Sequence, residues 1–105
     1  MVHINDLYYM IDLAVLDYRR RFPNNEEFVN DFREAFDIEV GRKYIKILNK
    51  GAAWAFIVKA NDDKFKAGDV LKPASYKAPA RNAARGNVID KYFPALRWTG
   101  PAYLN

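Results

Sequence analysis

Reactive side chains are scarce in this chain of 105 residues. Cysteine is absent, which excludes disulfides, thiolate metal sites and a thiol nucleophile. The single histidine, His3, lies near the N-terminus, where we do not expect it to partner the single serine, Ser75. The Asp62-Asp63 pair lies in a predicted turn, where such a pair is more often solvated than bound to a cation. The sequence therefore predicts no enzyme, no metal site and no cofactor.

Long hydrophobic runs are also lacking. The longest, Ala52 to Val58, is far shorter than the ~20 residues that span a bilayer. The N-terminal stretch has no basic region, and Asp12 and Asp17 interrupt its apolar residues, so it does not match a secretory signal. We expect a protein without membrane association. The absence of cysteine suits a cytoplasmic location.

The hydrophobic fraction of 50% and the length together predict one domain over residues 1–105. Its charge is unevenly distributed. Residues 1–40 hold nine acids and four bases, a net charge of −5, whereas residues 41–105 hold thirteen bases and four acids, a net charge of +9. Such a split favours a polyanionic partner for the basic part. Two alternatives remain open: the acidic part packs beside the basic part and partly neutralises it, or copies of the chain assemble acidic face on basic face.

The acidic part is predicted to form two helices. Apolar residues from Leu7 to Phe22 follow a helical spacing over a broad face, and Pro23 ends the helix. Arg19, Arg20 and Arg21 fall in the last turn of this helix, where they either complement the helix dipole or form a binding patch.

The second predicted helix follows a cap at Asn24 or Asn25. Phe28, Phe32 and Phe36 recur at four-residue steps, so we expect this helix to end between Asp37 and Gly41 and its phenylalanines to lie in the core.

The basic part is predicted to begin with a hairpin, in which residues 43–48 and 53–59 are paired strands. Trp54, Phe56 and Val58 are expected on one face of the second strand, and residues 68–72 form a third strand. The expected architecture is α+β: an N-terminal helical pair packed on a small three-stranded antiparallel sheet, followed by a basic loop and a short helix.

Residues 72–87 are small, basic and free of acids. Pro79 can start a short helix and Gly86 can end it, which would place Arg81 and Arg85 on one face. Cations beside aromatic rings are typical of proteins that bind single-stranded nucleic acids. The predicted nucleic-acid contacts are Lys72, Tyr76, Lys77, Arg81, Arg85 and Trp98. The structural alternative is that Arg81 or Arg85 pairs with Asp69 or Asp90 while the aromatic rings cover the sheet; contact with a protein partner is a third possibility.

The run from Gly68 to Asn87, the strand Trp54-Ala55-Phe56 and the closing Trp98-Thr99-Gly100-Pro101 resemble a pattern in small uncharacterised proteins of tailed bacteriophages. The resemblance covers about residues 41–104 and implies a phage-encoded protein that acts in the host bacterial cytoplasm. It supplies no catalytic residues and no function.

The leading hypothesis is a small phage accessory protein that binds nucleic acid with little sequence specificity. Lys72, Lys77, Arg81 and Arg85 would contact phosphates, and Tyr76 and Trp98 would stack on bases. The alternative is a non-enzymatic interaction or self-assembly module that docks on a host or phage protein, which the broad apolar face of the first helix favours. Under this alternative a homo-oligomer is possible.

Overall fold

The computed structural model describes residues 1–94 and 96–101. Residues 95 and 102–105, which belong to the predicted basic part, lie outside the described residues. The elements are α1 (Ile4–Arg21), α2 (Glu26–Glu34), β1 (Phe36–Val40), β2 (Tyr44–Asn49), β3 (Ala52–Val58), β4 (Val70–Leu71), β5 (Leu96–Arg97) and β6 (Gly100–Pro101). The α+β class is confirmed. The main sheet has four antiparallel strands in the order β1-β2-β3-β4, whereas the sequence predicted three.

Both helices begin at side-chain caps. The His3 ring accepts a hydrogen bond from the Asn5 backbone N–H at 3.1 Å, and the Asp6 carboxylate accepts one from the His3 N–H at 2.9 Å. The Asn25 side chain accepts from the Phe28 N–H at 3.2 Å at the start of α2. Each cap satisfies a backbone donor that the first helical turn leaves unpaired. His3 is thus part of a helix cap.

The second helix ends at Glu34, earlier than predicted, because the chain continues as β1. Phe36 and Ile38 pack against the helices, Val40 at the end of the strand is 69% exposed, and the two acids of the strand alternate with them. Ile38 lies opposite Ile47 of β2 in an antiparallel register. This alternation has the period of a strand, and burial of its apolar face favours pairing with β2 over another turn of helix.

A β-bulge in β3 changes which of its side chains point toward the helices. Ile47 pairs with Ala55 and Leu48 pairs with Ala53, so Trp54 is an extra residue between two regular pairs. Trp54 therefore packs on the helix side together with Ala55, whereas Phe56 packs on the opposite side. The prediction that Trp54 shares a face with Phe56 and Val58 was wrong, because the bulge shifts the alternation by one residue.

Two apolar clusters cover the two faces of the main sheet. The larger lies between the sheet and the helices, where Met10, Val29 and Ile57 are fully buried. The smaller lies on the other face, around Phe56 and Leu71. Among the described residues, no helix is both long and apolar enough to cross a bilayer.

The short helix predicted from Pro79 to Gly86 is absent; this segment is irregular. Its backbone groups bond to distant parts of the chain. The Arg85 N–H donates to the Val70 carbonyl at 2.8 Å, and the Ala80 N–H donates to the Lys72 carbonyl at 2.7 Å. These bonds join the segment to the end of β4, and they take the place of the bonds that a helix would need.

Candidate nucleic-acid interface

The structure ties Arg81 to the protein. Its guanidinium donates one hydrogen bond to the Tyr44 hydroxyl and another to the Asp62 carboxylate at 3.2 Å. These bonds, the one to Tyr44 foremost, raise the pKa of Arg81. The expected alternative partners were Asp69 and Asp90. Asp69 instead accepts from the Asn87 amide, and Asp90 pairs with Lys66. Arg81 therefore pairs with an acid, as the structural alternative expected, but that acid is Asp62.

Arg85 is buried, with 6% of its surface exposed. Its guanidinium donates to the Asn82 side-chain oxygen at 2.9 Å and to the Ala83 carbonyl at 2.7 Å. Its Nε has no hydrogen-bond partner among the described residues. The expected shared face with Arg81 does not form, because no helix carries the two side chains.

Lys72 and Trp98 are also engaged with the protein. The Lys72 ammonium donates to the Pro101 carbonyl at 2.9 Å, and burial, with Arg85 nearby, lowers its pKa. The Trp98 ring packs edge-on against Tyr18 on the helix side of the molecule, with 5.2 Å between ring centroids. The Trp98 backbone N–H donates to Asp17 at 2.9 Å. The six predicted contacts therefore do not form one surface.

Tyr76 and Lys77 lie close to several cationic side chains on the sheet face that points away from the helices. We call this concavity the basic groove; its volume is about 280 Å³. It is lined by Glu39, Val40, Gly41, Arg42, Lys43, Tyr44, Lys46, Phe56 and Lys77. Tyr76 borders it, because the Lys46 ammonium lies 3.7 Å from the centroid of the Tyr76 ring. Tyr76 is 52% exposed, so its ring combines a cationic neighbour with an accessible surface.

Sequence reasoning assigned Lys43 and Lys46 only to a strand. Glu39 and Lys46 are opposite each other in the β1–β2 register, on the face away from the helices. The alternation around Ile45 and Ile47 already indicated that Lys46 points away from the core. What the sequence could not show is that the loop carrying Tyr76 and Lys77 folds back over this face.

The charge split persists in the folded chain. The structure has three ion pairs among the described residues: Arg19–Glu26, Lys66–Asp90 and Arg81–Asp62. The first lies within the acidic part and the other two within the basic part, so none joins the two. Of the residues that the structure describes, four cations and one acid line the basic groove. Direct neutralisation by ion pairs, one of the alternatives, is not seen between the described residues of the two parts.

Asp62 supports the fold. Its carboxylate accepts from the backbone N–H groups of Phe65 at 2.7 Å and Lys64 at 2.8 Å. These two bonds, with a smaller contribution from Arg81, lower the pKa of Asp62 from 3.8 to about 2. Over the described part of the chain, no group of three or more histidine, cysteine, aspartate or glutamate side chains could hold a metal ion.

Residues 7–103 match a family described as a family of unknown function, DUF7717. The chain belongs to the DUF7717 family. The match includes the acidic helical part, which the bacteriophage resemblance did not cover. DUF7717 carries no function and no source to transfer, so the bacteriophage origin stays a prediction. No curated protein matches the chain. No solved structure matches it either.

Proposed function

We propose that this protein binds nucleic acid with little sequence specificity through the basic groove. The observation that carries the proposal is the meeting of Arg42, Lys43, Lys46 and Lys77 around aromatic rings on one face of the sheet, with Glu39 as the one acid in the lining. Cations attract a phosphate backbone whatever its sequence, because every nucleotide carries the same charge.

The rings of the groove have different roles in this proposal. Phe56 is 3% exposed and belongs to the core, whereas Tyr76 is 52% exposed. Tyr76 is therefore the ring that can stack on an unpaired base, and Lys46 beside it can meet the adjacent phosphate. Of the contacts predicted from the sequence, the proposal keeps Tyr76 and Lys77. Arg81 and Arg85 hold the loop that presents them.

The test is the binding of labelled single-stranded DNA, duplex DNA and RNA at about 50 and 200 mM salt. We expect steep weakening of the wild-type complex with salt. The double variant Lys43→Ala/Lys77→Ala should bind all sequences more weakly, and the slope of log affinity against log salt should fall by about one unit for each lost cation.

A matched control removes two cations outside the groove. Arg33 is exposed on α2 and Lys91 is exposed near Tyr9, so Arg33→Ala/Lys91→Ala makes the same change of net charge. If the two double variants weaken binding equally, the groove has no special role. If wild type binds none of the three nucleic acids at about 50 mM salt, the proposed function is wrong.

A second candidate is a protein-interaction or self-assembly module, and the edge of the sheet favours it. β1 is the outermost strand, and a cleft of about 710 Å³ separates it from α1. Ile4, Tyr8 and Val40 line this cleft and are 45%, 50% and 69% exposed. Exposed apolar residues beside an unpaired strand edge are typical of docking surfaces.

Light scattering at two salt concentrations tests self-assembly without nucleic acid. An oligomer that Val40→Lys dissociates would support an assembly through β1. A monomer of about 12 kDa at both salt concentrations would exclude self-assembly under those conditions.

A further inference from the structure

A second cationic concavity lies on the helix side of the molecule, at the end of α1. We call it the arginine cavity; its volume is about 400 Å³. It is lined by Asp17, Arg20, Arg21, Arg97, Trp98 and Thr99. It shares no lining residue with the basic groove. The inference drawn from it does not depend on the proposed function.

Several contacts fix the wall of the arginine cavity. The Trp98 backbone N–H donates to the Asp17 carboxylate at 2.9 Å, and the Trp98 carbonyl accepts from the Trp54 ring N–H at 2.9 Å. The Trp98 ring also packs against the rings of Tyr18 and Phe32. The hairpin formed by β5 and β6 is thereby held against α1, and Arg97 is brought to the arginines of the last helical turn.

The three arginines of this cavity have no partner among the described residues. Across residues 1–94 and 96–101, no hydrogen bond or ion pair engages the guanidinium of Arg20, Arg21 or Arg97. Arg19, in the same helical turn, does have one, since it pairs with Glu26 at 3.4 Å. Asp17 supplies the single carboxylate among the described lining residues, and this carboxylate already accepts the Trp98 N–H. The cavity therefore has an excess of positive charge and of hydrogen-bond donors.

The helix dipole explains only part of this arrangement. Cations in the last turn of a helix are favoured by its carbonyl end, which accounts for Arg20 and Arg21. It does not account for Arg97, which comes from a hairpin far along the chain. A third guanidinium beside two others adds like-charge repulsion, which a bound anion would relieve.

We propose that the arginine cavity binds a phosphate monoester. A planar guanidinium donates two parallel hydrogen bonds to an oxyanion, and a phosphate monoester offers three terminal oxygens to several such donors. The volume is at the lower end of the range for small-ligand sites, which suits a phosphate group with a small substituent. Trp98 provides an apolar surface for that substituent. A free nucleotide and the 5′-phosphate of a nucleic acid both carry this group.

The first experiment titrates the full chain with inorganic phosphate and with a nucleoside monophosphate, by calorimetry and by tryptophan fluorescence. Trp98 lines the cavity and Trp54 is buried, so we expect the fluorescence change to come from Trp98. Arg97→Ala should weaken phosphate binding about tenfold, because a charge-assisted hydrogen-bond pair is lost. Arg97→Lys keeps the charge but loses the two parallel donors of the guanidinium, so its affinity for phosphate should lie between those of Arg97→Ala and wild type.

Arg19→Ala is the matched control, because Arg19 lies in the same turn but does not line the cavity. It should bind phosphate within about twofold of wild type. Equal weakening by Arg19→Ala and Arg97→Ala would overturn the proposal, as would the absence of binding at millimolar phosphate. Arg20→Ala replaces Arg97→Ala if the latter lowers the thermal midpoint, since Arg20 is exposed on the helix.

Oligonucleotides with and without a 5′-phosphate distinguish the two sources of the ligand. Tighter binding of the phosphorylated strand, lost in Arg97→Ala but kept in Lys43→Ala/Lys77→Ala, would identify a nucleic-acid end. Binding of the mononucleotide alone would identify a free nucleotide. Failure of the basic groove leaves this result unaffected, because the two sets of variants share no residue.

Discussion

Lys72, Arg81 and Arg85 in the irregular segment carry the same charge as Arg42 and Lys77 at the basic groove, but their surroundings differ. The first three each donate a hydrogen bond to an acceptor in the protein. The side chains of Arg42 and Lys77 make no hydrogen bond or ion pair with any residue that the structure describes. A high density of positive charge in a sequence can therefore hold a loop in place as readily as it can attract a ligand. Whether a cation holds the loop or stays available to a ligand depends on the hydrogen-bond acceptors that the protein places near it.

The largest expected loss of stability follows the removal of Arg85. Arg85→Ala removes the donor to the Ala83 carbonyl and one of the two donors to the Asn82 oxygen, and it opens a gap in a buried region. We expect the free energy of unfolding to fall by about 2 kcal/mol. Urea denaturation followed by circular dichroism measures this change.

Arg42→Ala is the matched comparison for Arg85→Ala, because it removes the same side chain from an exposed position. Its unfolding free energy should stay within about 0.5 kcal/mol of wild type. If the two variants unfold at the same urea concentration, the distinction between the loop cations and the groove cations is lost.

An intermediate effect is expected at low pH from Asp62. Its pKa in the folded chain is lowered to about 2, so its stabilising contribution is complete above its ordinary pKa of 3.8 and is lost as the pH falls toward 2. Wild type should therefore lose thermal stability between about pH 4 and pH 2 more steeply than Asp62→Asn. Thermal midpoints measured across this range give the comparison.

Asp63→Asn provides the control for this titration, since Asp63 is an exposed neighbour with no described hydrogen bond. It should follow the wild-type curve. Parallel curves for wild type and Asp62→Asn would mean that Asp62 does not hold the loop beneath Arg81.

The smallest effect on stability is expected from Lys43→Ala/Lys77→Ala. Both side chains are exposed, so the double variant should unfold within about 0.5 kcal/mol of wild type, while the proposed function expects its affinity for nucleic acid to fall. The same urea experiment measures it. A loss as large as that of Arg85→Ala would assign the groove cations to the fold.

Spacing and turn residues in the sequence correctly predicted the helices and strands that depend on contacts between residues close in the chain. The end of α1 before Pro23 and the hairpin of β2 and β3 were both correct. β1 was missed because the four-residue steps of Phe28, Phe32 and Phe36 favour a helix. Residues 36–40 form a strand instead, because they pair with β2. The helical spacing of the phenylalanines carries no information about that pairing.

The candidate site was less predictable than the fold for a similar reason. Tyr76 and Lys77 were identified from their own segment, but their neighbours Lys43 and Lys46 lie just before and within β2, some thirty residues away. The backbone N–H of Arg85 donates to the Val70 carbonyl, and this bond helps to hold Arg85 in its buried position. The amino-acid composition of the segment does not reveal such a bond. Sequence patterns indicate which side chains are available; tertiary contacts decide which of them meet.

No ion pair joins the acidic and basic parts within residues 1–94 and 96–101, and this has an electrical consequence. Opposite charges that stay apart make the molecule a permanent dipole, and a dipole experiences a torque in the field of any charged surface. Near a polyanion, the chain would turn its basic side inward before any contact forms. Bound molecules would then present their acidic helices outward, with the arginine cavity at the end of α1 as a cationic site on that outer side.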